Sequence, residues 1–293
     1  MEPRLQSLYL FKGTITLNSA LHIGGGTLNT TNTDSTVVRT PDGLPFIPGS
    51  SFKGVFRSTV EKLAGMLPEL EVCALDGGKD CFHRKFMQKT ASGQSRYDEL
   101  KNRIQAQAKN HADSSKTRAE LQEELLFSEV LGEICDTCQL FGNGFTASKI
   151  FFSDLEMVDW AGVTQIRDGV VIDRDSEKAV EGLKYDFEVV PAGAVFTFEI
   201  RLENPRDPKD IGLTCLGLNE FQSGFGHLGG NRSRGLGNCS LEITEAYQTD
   251  FSDNYQLKNY LLKTKLQEKM QEIQDVPGFI IESIEAFLNK MSH

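Results

Sequence analysis

The chain has 293 residues, a formal net charge of -10 and 25% charged residues. That length suffices for one large or two small domains around a sizeable core. The opening MEPRLQSLYLFKG lacks the charged-then-apolar pattern of an export signal, and no run of about 18 apolar residues occurs, so no membrane span is expected and the cytoplasm is the expected compartment. Six cysteines in such a chain argue against a disulfide scaffold and leave reduced core thiols or metal ligands. The acidic balance is awkward for a nucleic-acid binder, yet it is uneven. Residues 154–188 carry ten acids against four bases, whereas 224–238 carry Arg232 and Arg234 and no acid.

In chain order, β-rich composition predicts strands over 8–17, 149–160, 194–202 and 239–247. Helical periodicity over 49–66, with Ser50 or Ser51 as N-cap, aligns Phe52, Val55, Phe56, Val60 and Leu63 on one face. A weaker helical pattern covers 208–221. The order strand, helix, strand, strand, helix, strand predicts an α+β, ferredoxin-like domain over 1–248, two helices covering one face of an antiparallel sheet. Three additions are expected: an insertion over 67–140 whose polar stretch 85–117 should be mobile, an exposed hairpin over 162–190, and a helical extension over 249–293. In the last, Ile280, Ile284, Phe287, Leu288 and Met291 fall at helical spacing, a stripe that usually faces its own core.

Gly224-Phe-Gly-His-Leu-Gly229 formally matches a dinucleotide-binding fingerprint, but a helix precedes it and a strand follows, the reverse of what that site needs. The longer run GFGHLGGNRSRGLG reads either as a surface turn or as a phosphate site, its glycines allowing close backbone approach and Arg232 and Arg234 offering forked donors. In PFIPGSSFKGVFRS, the helix start could attract an anion, and Lys53 and Arg57, four apart, could extend the positive charge along a phosphate backbone. A solvated helix face is the alternative. Cys135 and Cys138 have the spacing that lets two thiolates grip one zinc ion, with Cys81 and His83 as the other ligands, Cys73 as a substitute for either, and reduced core cysteines as the alternative. The Glu and Pro of a zinc deaminase are missing, so any zinc site should be closed and structural. Asp34 is the single carboxylate of the polar loop TLNTTNTDSTVV, and a turn-capping role is its commonest use. His22, just after the first strand, is more often a packed residue than a catalyst.

Taken in order, LHIGGG, PFIPGSSFKGVFRS, CQLFG, DRDSEKAVEGLKYDFEVVPAGAVF and GFGHLGGNRSRGLG resemble the successive signatures of the RAMP superfamily, over about residues 5–248. Within it the chain is most similar to the repeated backbone subunit of type III CRISPR effector complexes. The resemblance implies an RNA-recognition-like palm, a thumb hairpin at 162–190, and partners that are guide RNA, target RNA and related subunits. It implies guide contacts from His22, Lys53, Arg57, Gly229, Gly230, Arg232, Arg234 and Gly235. It also implies Asp34 as the residue that cleaves target RNA with Mg2+ or Mn2+, and a structural Zn2+ held by Cys135 and Cys138 with Cys81 and His83. The long insertion splits that zinc site and leaves its upstream pair open.

Overall fold

The computed structural model describes residues 4–25, 35–73, 80–108, 117–172 and 179–291, without the side chains of 170–172 and 179–184. The elements are β1 (Ser7–Leu17), α1 (Gly49–Ala64), α2 (Cys81–Phe86), α3 (Arg96–Ala108), α4 (Arg118–Glu133), α5 (Asp136–Phe141), β2 (Ile150–Phe152), β3 (Met157–Asp159), β4 (Gln165–Ile172), β5 (Ala179–Val189), β6 (Val195–Glu203), α6 (Lys209–Gln222), β7 (Cys239–Asp250), α7 (Asn254–Leu262), α8 (Leu266–Lys269), β8 (Gln271–Glu272) and α9 (Val276–Met291). The fold is α+β. One antiparallel sheet runs in the order β2, β6, β1, β7, β8, with β3 also on β6, while β4 and β5 pair as a separate antiparallel hairpin.

Strand β6 alternates buried and exposed residues, placing Phe196, Phe198, Ile200 and Leu202 in the core, as a half-buried strand requires. Helix α1 buries Phe52, Phe56, Val60 and Ala64, which recur every four residues along one stripe. Phe52 packs edge-on against Phe198 and lies 5.3 Å from Phe221 of α6, so sheet and helices share one aromatic cluster. Gly217 permits this closeness, because a Cβ there would stand 2.4 Å from the Phe56 ring. Helix α9 completes the layer. Its Ile280 and Phe287 are buried, Phe287 against Gly212 of α6, and Phe279 stacks on Tyr9 of β1.

Three expectations change. The helix cap is neither Ser50 nor Ser51: the helix begins after Pro48, and Asp154 accepts the Gly49 N–H at 2.7 Å. The strand expected over 149–160 is split into β2 and β3, because Leu155 between them leaves β6 and exchanges two backbone hydrogen bonds with Ile47. The polar stretch 85–117 contains a formed helix, α3. Leu100 and Ile104 bury its inner face in a small second core with Val130, Ile134 and four cysteines, and Arg96 makes a two-pronged ion pair with Glu133.

Candidate functional site

Three segments far apart in sequence meet beside the N-terminal half of α1. Residues 22–24, the turns of α1 that present Ser50, Ser51 and Gly54, and Gly229, Gly230 and Arg232 of the loop 224–238 line a cleft of about 460 Å³. The Gly230 N–H donates to the His22 carbonyl at 3.1 Å, and Gly229 sits so close that a Cβ would lie 2.2 Å from that oxygen, at φ +68°. Glycine is therefore required at 229 for the loop to lie against the first strand's exit. The tip of the loop is a 3-10 turn, Arg232–Arg234, with Asn231 and Gly235 at its ends in the left-handed region. Both arginines are exposed. Arg234 Nη1 donates to the Tyr185 hydroxyl on β5 at 2.6 Å, tying the loop to the hairpin, while Arg232 has no acidic partner among the described residues.

His22 lines the same cleft but is fastened. Its Nδ1 lies 2.6 Å from the Glu188 carbonyl, which can only accept, so Nδ1 carries a proton, and Nε2 lies 3.2 Å from the Ser35 hydroxyl. Phe187 meets the ring edge-on. The Glu188 carboxylate accepts from the Val37 N–H, Arg39 and Thr164. Burial pushes that carboxyl up, but the donors from Thr164, Val37 and Arg39 hold it below its ordinary value. The segment that resumes at Ser35 is thus stitched to both the first strand's exit and the base of the hairpin. Asp34 and the rest of 26–34 lie outside the described residues. Glu188 carried no local signal in sequence, since its donor Val37 is 151 residues away.

The two cations expected on α1 part company. Lys53 is half-buried, and burial, then the charge of Arg57, lowers its pKa. Arg57 faces inward, 9% exposed. Its guanidinium donates to Glu61 at 2.8 Å, to the Gly142 carbonyl at 3.2 Å and to Cys138 Sγ at 3.1 Å. Helix geometry places i and i+4 on one face, but that face turns obliquely into the small core, so the donors of Arg57 are consumed inside the protein.

The sulfurs of Cys73, Cys81, Cys135 and Cys138 lie within 4.8 Å of one another, all buried, and can hold a metal ion. Cys81 opens α2, Cys135 caps α5 and Cys138 follows in its first turn. Four thiolates this close match a tetrahedral ion with metal–sulfur bonds of about 2.3 Å, and leave no position for water. Hydrogen bonds with Cys138, Cys73 and Cys81 hold the Cys135 thiol far below its ordinary range, whereas those with Cys135, Cys73 and Cys81 push the Cys138 thiol far above it. The fourth position expected for His83 belongs to Cys73. Two residues along a helix turn the side-chain direction by about 200°, so Cys81 and His83 cannot both face one cluster. His83 instead points outward and pairs with Asp80 at 3.0 Å. Cys215 and Cys239 lie elsewhere in the core, their thiols pushed up by burial to about 12.

Among the described residues no helix is long and apolar enough to cross a membrane. A 59-residue segment is 49% identical to the CRISPR system Cms endoribonuclease Csm3 of Enterococcus italicus, covering 19% of this chain and 28% of that protein. The model of the RAMP superfamily matches residues 14–240, a span that contains the cleft, the hairpin and all four clustered cysteines. By that match the chain belongs to the RAMP superfamily.

Proposed function

We propose that the chain is a backbone subunit of a type III CRISPR interference complex, binding guide RNA along the cleft and cutting the paired target RNA through Asp34. The observation that carries the reading is the convergence of the LHIGG segment, the start of α1 and the Gly-rich loop on one cleft, with Arg232 on its wall lacking an acidic partner among the described residues. Backbone amides and cations there suit phosphates, which position a strand without reading its sequence. Selection of the target then falls to base pairing with the guide, while the protein reads duplex shape. The strand order supports a ferredoxin-like palm, on which the β4–β5 hairpin serves as thumb. The acidic exterior keeps an assembly of several subunits soluble in the cytoplasm.

In this reading the ribose 2'-OH attacks the adjacent phosphorus and the 5'-oxygen of the next nucleotide leaves. RNA is therefore cut and DNA is spared. Asp34 either positions that hydroxyl or holds a divalent ion, Mg2+ or Mn2+, which would supply charge neutralisation at the phosphate. Zinc is the ion proposed for the four cysteines, in a purely structural role. A non-cleaving backbone subunit is the second reading, and a guide-processing endonuclease the third. His22 is a weak base for the third, because both of its ring nitrogens have partners. The deciding experiment is to purify the chain with its co-bound nucleic acid and sequence it. Repeat-derived RNA is expected, and its absence would overturn the assignment.

A further inference from the structure

Arg232 also lines a second cavity of about 320 Å³, together with Lys62 and Leu63 of α1, Glu220 of α6, and Phe225 and His227 of the Gly-rich loop. Phe225 is 69% exposed, on a loop that is otherwise well fastened. Its N–H donates to the Glu220 carbonyl and its own carbonyl accepts from His227 Nδ1 at 3.0 Å. On either side, the Gly224 carbonyl accepts from the Asn238 amide and the Gly226 carbonyl from the Cys239 N–H. Gly226 is pressed against the Phe221 ring, where a Cβ would stand at 2.2 Å. The backbone is thus held from both sides, and the ring it presents to water meets no other aromatic ring among the described residues. Lys62 and Arg232 flank that ring, and neither has an acidic partner among the described residues. Among the described residues Glu220 is the one acid lining the cavity.

An aromatic face on a hydrogen-bonded loop, beside two cations without an acidic partner among the described residues and next to the cleft proposed to hold phosphates, has the makings of a site for a single-stranded nucleobase. We propose that Phe225 is a stacking platform for one base of the bound RNA strand where it leaves the cleft, with Lys62 and Arg232 taking the flanking phosphates. This rests on the RNA-binding reading above and adds to it a base contact that tolerates any sequence. Aromatic stacking accepts every base but favours the larger purine face.

The test titrates full-length chain with 12-nucleotide oligoadenylate and oligouridylate at several salt concentrations. Phe225→Ala should bind about tenfold more weakly, with a larger loss on oligoadenylate and an unchanged slope of log affinity against log salt. Arg232→Ala should instead lower that slope by about 0.7. Phe225→Trp should keep wild-type affinity and show RNA-dependent quenching of indole emission beyond that of Trp160 in the wild type. If wild type binds RNA and Phe225→Ala binds it equally well, the platform is refuted while the cleft stands. If the variant alters only self-association in sedimentation velocity, the surface is a protein interface and the proposal falls. Failure of the wild type to bind either RNA would remove the RNA-binding reading and the platform with it.

Discussion

Arg57 Nη2 lies 3.1 Å from Cys138 Sγ, and through its other two nitrogens the same guanidinium holds Glu61 and the Gly142 carbonyl. A side chain on the cleft's own helix is therefore an outer partner of the four-sulfur cluster. Donors to ligand sulfurs stabilise the thiolate form and fix its direction, and their loss commonly weakens metal affinity by about 10–100-fold. Arg57→Met should therefore release metal to a chelator at least about tenfold faster than wild type, while the salt dependence of RNA binding stays unchanged. Arg57→Lys, which keeps the charge but not the fork, should fall between them. A normal release rate in Arg57→Met would separate the arginine from the metal site.

Lys53 on α1 and Arg232 on the cleft wall remain as candidate phosphate contacts. Each contact removed should lower the salt slope by about 0.7 on single-stranded RNA, so Lys53→Ala/Arg232→Ala should lose about 1.4. The effect should be the same on two unrelated guides, since phosphates carry no sequence information. A loss confined to one guide would mean that these side chains read bases.

About one metal ion per chain should survive dialysis of the wild type, and Cys135→Ser/Cys138→Ser should retain almost none. Cys239→Ser is the control, because Cys239 lies in the main core away from the cluster. Since the cysteines belong to the small core of α2, α3 and α4, metal removal should melt helix signal while the sheet persists in circular dichroism. Full metal content in the double variant would remove these cysteines as ligands.

How much could be read in advance depended on how local the cause was. The stripe of Phe52, Phe56 and Val60 and the alternation of β6 are written in neighbouring residues, and the elements formed where their periods placed them. What escaped was tertiary in origin. Asp154 reaches the start of α1 from 105 residues away, and no pattern in PFIPGSSFKG announces it. Arg57 carries the same helical spacing as an exposed cation, and only the packing of α5 beneath it turns it inward. Cys73 was legible as a ligand in place of Cys81 or His83, but which of the two it replaces was not, because its approach to Cys138 is fixed by the helices between them.

Asp34→Ala should abolish target cleavage while guide and target binding stay within about threefold, because one carboxylate adds little to a long phosphate interface. Cleavage at the wild-type rate in the assembled complex would remove Asp34 from the chemistry and favour the non-cleaving reading.

Asp210 offers a test of stability with a definite dependence on pH. Its carboxylate is fully buried and accepts from Arg206, at 2.6 Å to Nη2, and from Lys149 at 2.8 Å. Arg206 in turn donates to Asp136 and Gln139 of α5, so the network clamps the cysteine-bearing helix to α6. Burial alone would push the Asp210 carboxyl up, but the hydrogen bonds and charges of Arg206 and Lys149 outweigh it and hold the value below the ordinary 3.8. A carboxyl depressed in the folded state contributes stability that is fully present above its unfolded pKa and is lost as pH falls through the folded one. Asp210→Asn should cost about 3 kcal/mol at pH 7, the lower end for breaking a buried pair, because Arg206 and Lys149 keep about a quarter of their side-chain surface in water. Urea unfolding of both proteins at a series of pH values gives the comparison. The gap between them should be constant from pH 7 to about 5 and should shrink below about 4, as the wild-type carboxylate takes up its proton. A gap that stays the same down to pH 3 would show that Asp210 acts through packing and neutral hydrogen bonds, and that the charge of the clamp contributes nothing to its hold on α5.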